Sequence, residues 1–383
     1  MVGLCSRVVA TWQGSFAHRA GQATMVRYAG VWLVLGAWLA LGFSQVAIAQ
    51  LLPPLGGSAK PSPDVEAYNE GVQLVEKGNF EKAVASFSKA IRLNPDFARA
   101  YSDRGLAQAM LGQLDAAVAD TSKAVEISPR EPEFLLDRAF AYQQRGDLAK
   151  ALADYDRALG LRPSLAEAYR ERGFVQILLG EPQRAIADLS AAIRIAPRDS
   201  AAFTARGIAW SRLGMWDRAI ADHTRALELD PDDPDALADR GYAYTMKGEI
   251  PKAMADLKRA VELVPDDPAA RFSLGFALFH ADRPEDALAS YNEALKLDPE
   301  YPEVYRERAF VHAMLGDQEK AEADFAKAAE LEPKDASVPL RHGQALLRAG
   351  DTAKAIAQFS RALELTPQHV EAHFHRAVAN ALA

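Results

Sequence analysis

Apolar positions recur along this chain in a fixed rhythm. Taking Asp64 as position 1 of a 34-residue block, apolar or small residues at positions 4, 8 and 11 trace one helical face, and those at 17, 20, 24 and 27 trace a second. The block recurs nine times without an insertion. Position 20 is Ala in every block, from Ala83 to Ala355; position 27 is Ala from Ala90 to Ala362; position 32 is Pro from Pro95 to Pro367. Position 8 is always Gly or Ala, and position 15 is Gly except at Asp282. Gly at 15 suits a helix end in the left-handed conformation that a Cβ disfavours. Pro at 32 stops the second helix, and Pro182, Pro251 and Pro284 fall at its start, where a missing N–H costs nothing. The pattern predicts an all-α chain of helix pairs, closely approached through the small residues at 8, 20 and 27.

This arrangement resembles the tetratricopeptide repeat, a 34-residue unit with the signature W-x2-L-G-x2-Y, then A-x3-F, then P. Repeat 5 carries it as Phe203, Arg206-Gly207, Trp210, Ala219, His223, Ala226 and Pro231; repeat 1 as Gly71, Leu74, Ala83, Phe87, Ala90 and Pro95. The resemblance covers 64–369 as nine repeats, with 370–383 as a C-terminal capping helix to which His373, Phe374, Arg376 and Ala377 contribute. It implies a right-handed α-solenoid of helix-turn-helix repeats. It says little of activity, because a fold does not fix one.

One departure from the family pattern is chemical. Position 7, Leu in the family, is Arg at Arg104, Arg138, Arg172, Arg206, Arg240 and Arg308. In those six repeats position 23 is Asp: Asp120, Asp154, Asp188, Asp222, Asp256 and Asp324. The other three lose both members together, as Glu70 with Ser86, Leu274 with Ser290, and His342 with Gln358. Such covariation within each repeat predicts a structural ion pair between the two helices, not a ladder of ligand-binding arginines, since buried charges are normally paired.

By resemblance, positions 2, 5, 9, 12 and 13 of the first helix line a concave surface. A well-known subfamily places Lys, Asn and Arg there to clamp C-terminal carboxylates, and this sequence does not. Position 9 runs Val72, Leu106, Phe140, Phe174, Ile208, Tyr242, Phe276, Phe310 and Gln344. In repeat 7, Phe272, Phe276 and Phe279 share one stripe, with Tyr242 and Met246 on one side and Phe310 and Met314 on the other. These seven residues are the expected partner-binding surface, suited to an apolar or amphipathic peptide. The acidic run Asp230–Asp235 reads as turn and cap chemistry, lacking a calcium loop. His369, His373 and His375 lack a shared metal-binding geometry, and Trp210 and Trp216 take packing positions.

The N-terminus changes the picture of location. From Met25, the expected start, Arg27, the apolar run Val31–Phe43 and Ala47-Ile48-Ala49 before Gln50 follow the order of a secretory signal peptide. Residues 1–49 are therefore read as removed, with an uncleaved inner-membrane anchor as the alternative. Residues 50–63 read as a Pro/Gly-rich linker. The one cysteine, Cys5, lies in the removed part. Net charge is −8, no Lys/Arg block suggests nucleic acid, and no P-loop, nucleophile elbow or metal motif appears. The sequence is thus read as a non-enzymatic scaffold of the bacterial periplasm, without cofactor, binding another protein or peptide. The alternatives are a docking subunit of a separate envelope enzyme, such as a glycosyl transferase, or a carrier of an apolar small molecule. Nothing in the sequence bears on self-association.

Overall fold

The computed structural model describes residues 61–383; the expected signal peptide, and the linker as far as Lys60, lie outside them. Of the described residues, 61–213 belong to one compact unit and 214–383 to another. The first unit is a succession of α1 (Pro63–Glu76), α2 (Phe80–Leu93), α3 (Ala98–Met110), α4 (Leu114–Ile127), α5 (Pro132–Arg145), α6 (Leu148–Leu161), α7 (Ala166–Leu178), α8 (Pro182–Ile195) and α9 (Ser200–Arg212). The second holds α10 (Trp216–Leu229), α11 (Pro234–Met246), α12 (Ile250–Leu263), α13 (Pro268–His280), α14 (Pro284–Leu297), α15 (Pro302–Met314), α16 (Gln318–Leu331), α17 (Ser337–Arg348), α18 (Thr352–Leu365) and α19 (Val370–Leu382). No strand occurs among the described residues. Inside each unit the two helices of a repeat pack on one another, and each second helix packs on the first helix of the next repeat. The fold is an α-solenoid of helix pairs.

The repeated small residues explain the packing. Ala at positions 20 and 27 is fully or almost fully buried in every repeat. At position 8 the backbone of the first helix meets the position-24 side chain of the second. A Cβ on Gly71 would come within 2.5 Å of the Phe87 ring, and one on Gly275 within 2.7 Å of Tyr291. Position 15 takes a positive φ throughout, including φ 57° at Asp282, the one repeat without glycine there. That non-glycine residue stands where the backbone requires a conformation L side chains avoid. α1 begins at Pro63, inside the expected linker, with Ser62 as its cap residue. Within the run 230–235, Asp233 Oδ1 accepts hydrogen bonds from the backbone N–H groups of Asp235 and Ala236 at 3.0 and 3.2 Å, capping α11.

Candidate interaction surface

The arginines at position 7 have partners. Arg138 donates from Nε and Nη2 to the two carboxylate oxygens of Asp154, at 2.7 Å each. The same bidentate geometry joins Arg104 to Asp120, Arg172 to Asp188, Arg240 to Asp256 and Arg308 to Asp324, all between 2.6 and 2.8 Å. Arg206 and Asp222 stand in different units. The carboxylates are buried, whereas the guanidiniums are only half-buried, because each reaches outward. Nη1 of Arg172 meets Asp156 at 2.6 Å, that of Arg104 meets Ser88 at 3.0 Å, and those of Arg206, Arg240 and Arg308 meet Ser190, Thr224 and Asn292. Each of these is position 25 of the preceding repeat. The arginine therefore ties its own helix pair together and ties that pair to its neighbour. The sequence carried this signal too: where position 7 is Leu274 or His342, position 25 before it is Lys258 or Ala326, and neither accepts a hydrogen bond from a guanidinium.

The expected partner-binding residues divide. Phe272 and Phe310, 4% and 2% exposed, belong to the core and offer nothing to a partner. Phe272 packs against Tyr291 and Tyr301 with ring centroids 5.9 and 5.6 Å away. Phe310 is covered by the Arg341 guanidinium, 3.5 Å from its centroid, with Arg348 on it at 5.4 Å. The other five remain accessible. Tyr242, Phe276 and Phe279 are half-buried, and Met246 and Met314 are 41% and 46% exposed. Tyr242 lies 5.5 Å from Phe276, which is 4.6 Å from His280, itself 5.4 Å from Phe279. These rings form a continuous run along α11 and α13 to the edge of α15.

Position 9 suggested an apolar face, but the same helices carry carboxylates one turn back at position 6, mostly buried, and two turns back at position 2, half-buried. In the first unit Arg170 bridges Glu171 and Asp199 at 3.0 and 2.8 Å, with Glu167 4.0 Å away. Burial raises the Glu167 carboxyl to about 7 despite Arg170. Tyr68 donates to Asp103 and Ser102 to Asp137, each at 2.6 Å, and burial raises Asp137 to about 6. In the second unit Arg306 bridges Glu307 and Asp335, and Arg341 adds a bond to Glu307 at 2.7 Å. Burial pushes the Glu307 carboxyl up, but the Arg341 and Arg306 guanidiniums outweigh it and hold it below its usual value. Repeat 6 has the corresponding acids, Asp235, Asp239 and Asp267, with Ala238 in the position of Arg170 and Arg306. Burial and the carboxylates of Asp233, Asp267 and Asp239 push Asp235 well up. The cue missed in the sequence was the acid at position 6, present at Asp103, Asp137, Glu171, Asp239 and Glu307.

The described residues contain no cluster of His, Cys, Asp and Glu able to hold a metal ion. His373 Nε2 lies 2.8 Å from the Pro367 carbonyl oxygen, whereas His375 lies against Gln344 and Glu371.

Family models described as tetratricopeptide repeat match residues 139–209, 302–335 and 340–383, and one described as TPR repeat matches 71–112, 212–248, 241–281 and 283–316. A curated relative, an uncharacterised protein of Methanocaldococcus jannaschii, is 44% identical over 45 residues, which are 12% of this chain and 52% of the relative. The chain thus spans about half the length of that relative. Among solved structures, a tetratricopeptide repeat protein from Parabacteroides merdae matches with a TM-score of 0.52 and 22% identity, covering 62% of this chain and 93% of its own. The human IFIT1 dimer with m7Gppp-AAAA matches with a TM-score of 0.60 and 16% identity, covering 85% and 82%. At these identities the likeness concerns the fold.

Proposed function

Because this chain belongs to the tetratricopeptide-repeat family, we propose that it is a non-enzymatic scaffold, exported to the bacterial envelope, that binds a protein segment along the first helices of the unit 214–383. The observation that carries this reading is the run of Tyr242, Phe276 and Phe279 with the exposed thioethers of Met246 and Met314 around it. Aromatic and methionine side chains left at a surface supply large contact area at low cost in lost rotamers. A partner helix or extended segment with apolar side chains at regular spacing fits such a face.

The fold alone does not exclude nucleic acid, since IFIT1 was solved with m7Gppp-AAAA. The reading for protein rests on charge. The chain carries a net charge of −8, and a phosphate backbone would meet that field unfavourably. A docking role toward a separate envelope enzyme is the same mechanism with an enzyme as the partner. The N-terminal pattern, with its expected cut between Ala49 and Gln50, supports export. N-terminal sequencing of the exported chain reads that directly, and a chain retaining residues 31–49 would instead be anchored.

The test of the surface is crosslinking capture from envelope extract, with Phe276→Asp beside the parent. Loss of a partner by a variant that keeps its helical circular dichroism supports the first-helix face. Identical capture by both removes it from the mechanism.

A further inference from the structure

Between repeats 2 and 8 the Arg and Asp of positions 7 and 23 are missing once, in repeat 7, and the gap coincides with a hollow. In repeat 7 the clamp positions are Leu274 and Ser290, and Ser290 Oγ turns to the Arg271 carbonyl oxygen at 2.7 Å. Position 25 of the repeat before it, which accepts from Arg104, Arg172, Arg206, Arg240 and Arg308 in their repeats, is here Lys258. No guanidinium therefore crosses from α13 to α12 here. The space between α12, α13 and α14 is a hollow of about 840 Å3, open to solvent. That volume is in the range of small-ligand and side-chain pockets.

The lining is divided by chemistry. Met254, Leu274, Leu278 and Leu295 make an apolar floor. Lys258, Arg271, Arg283 and Lys296 stand around it. Arg283 is neutralised by Asp286 at 2.6 Å and Lys296 by Glu293 at 2.6 Å. Arg271 donates only to the backbone, from Nε to the Pro265 carbonyl oxygen at 3.1 Å. Lys258 is in no ion pair among the described residues, and the one carboxylate that feels Arg271, Glu293, is already bound by Lys296. In a chain of net charge −8, a lining that sets Lys258, Arg271, Arg283, Lys296 and Arg308 against Asp286 and Glu293, beside half-buried Met254 and Leu274, is a local reversal of sign. An arginine at position 274 would face Lys258 in place of an acceptor.

Resting on the reading of this chain as a protein-binding scaffold, we propose that the hollow at repeat 7 is a second docking site, on the second-helix side, for an acidic partner segment presenting a large apolar side chain. The apolar side chain seats on Met254, Leu274 and Leu278, and flanking carboxylates meet Lys258 and Arg271. A peptide is favoured over a lipid chain because the hollow is open and would leave a long acyl chain in water.

The experiment uses the full chain and a fluorescein-labelled hexapeptide pool, two Asp or Glu at each end around two central residues drawn from Leu, Ile, Phe and Trp. Companion pools replace the acids by Lys or the central pair by Ser, and dodecanoate serves as a competitor. Anisotropy should report binding of the acidic-apolar pool alone. The exposed, unpaired Lys258→Glu should weaken it by about tenfold or more. The triple variant Lys258→Ser/Leu274→Arg/Ser290→Asp rebuilds the clamp of the other repeats, fills the hollow, and should abolish binding with helicity and Tm retained. No binding of the acidic-apolar pool up to about 1 mM, equal binding of the Lys pool, or unchanged binding by Lys258→Glu overturns the proposal. Full displacement by dodecanoate at lower concentration than the peptides overturns the choice of a peptide. Peptide binding lost in Phe276→Asp but kept in the rebuilt variant moves the segment to the first-helix face, which sinks this site while sparing the scaffold reading. Capture of a partner through Phe276 without any peptide binding at repeat 7 does the same.

Discussion

Arg138 and Arg172 occupy the same repeat position and differ in what remains if their aspartate is removed. Arg138 has Asp154 as its carboxylate partner, whereas Arg172 also holds Asp156 at 2.6 Å. Stranding a poorly hydrated charge is what makes such truncations costly. Asp154→Ala should therefore lower stability by about 3 kcal/mol and Asp188→Ala by about 1–2 kcal/mol, because the Arg172 charge stays compensated. Thermal melts of the two variants beside the parent decide it; equal losses would mean that the second carboxylate contributes nothing. The pairing was legible in the sequence through covariation, but the fate of Phe272 and Phe310 was not. Both sit at positions assigned to the exposed surface, and what buries Phe310 is Arg341 from the next repeat, a contact that no single-repeat register contains. His223 belongs to the same class of residue-scale surprise. It is fully buried with neither ring nitrogen hydrogen-bonded, and burial, with Arg240 nearby, lowers its pKa to about 3. The unfolded chain takes up a proton on this ring near pH 6.5 while the folded chain does not, so stability is lost as pH falls through the window from there to about 3. Leu occupies the same repeat position, fully buried, at Leu189 and Leu257. His223→Leu should be more stable by about 1–2 kcal/mol at neutral pH, with the margin over the parent widening toward pH 4. A constant margin between pH 7 and pH 4 in urea titrations would show that the ring protonates in the folded state.

At the scale of the helix, punctuation decides. Every first helix ends with a residue at positive φ, and eight of the nine are glycine, for instance Gly248 at 77° and Gly316 at 85°. Asp282 holds φ 57° with a side chain that pays in steric strain what glycine does not. Asp282→Gly should raise stability by up to about 1 kcal/mol, less the extra freedom glycine gains in the unfolded chain. A side chain placed at the same position of another repeat, Gly248→Ala at φ 77°, should cost about 1 kcal/mol or more, because alanine avoids that conformation. A melt in which Asp282→Gly is the less stable would show that the aspartate makes a compensating interaction. Helix bounds were readable from the same residues. Position 15 marks the turn after each first helix, and Pro at 32 lies two residues beyond the second, as after Leu93, Leu229 and Leu365. The buried carboxylates at position 6 were not readable as such, because an acid on a helix face looks solvated until the neighbouring helix is placed against it.

For the molecule as a whole, the period of the sequence foretold the stacking of pairs but not the division at Leu213 and Gly214. Gly214 is an ordinary position 15, and the 34-residue count runs through it unchanged, so nothing local distinguishes that junction. What the stacking does determine is how stability is shared. Each pair buries its apolar stripe against its neighbours, which makes stability a sum of repeat and nearest-neighbour terms. At the C-terminal side, Ala372 and Ala379 of α19 complete a cluster with Leu346 of α17 and Phe359 and Leu363 of α18. The outer side of α19 is apolar, with Val370, Phe374 and Leu382 81%, 63% and 66% exposed. α19 thus protects what lies beneath without itself being covered among the described residues. Deleting 370–383 should uncover Phe359 and its neighbours and weaken α17 and α18 first. Hydrogen exchange should quicken there by about tenfold or more, corresponding to over 1 kcal/mol of lost local stability, while α11 and α12 exchange as in the parent. Uniform acceleration from α10 to α18 would instead mean that the unit 214–383 opens as one cooperative body, and the nearest-neighbour account of this solenoid would fail.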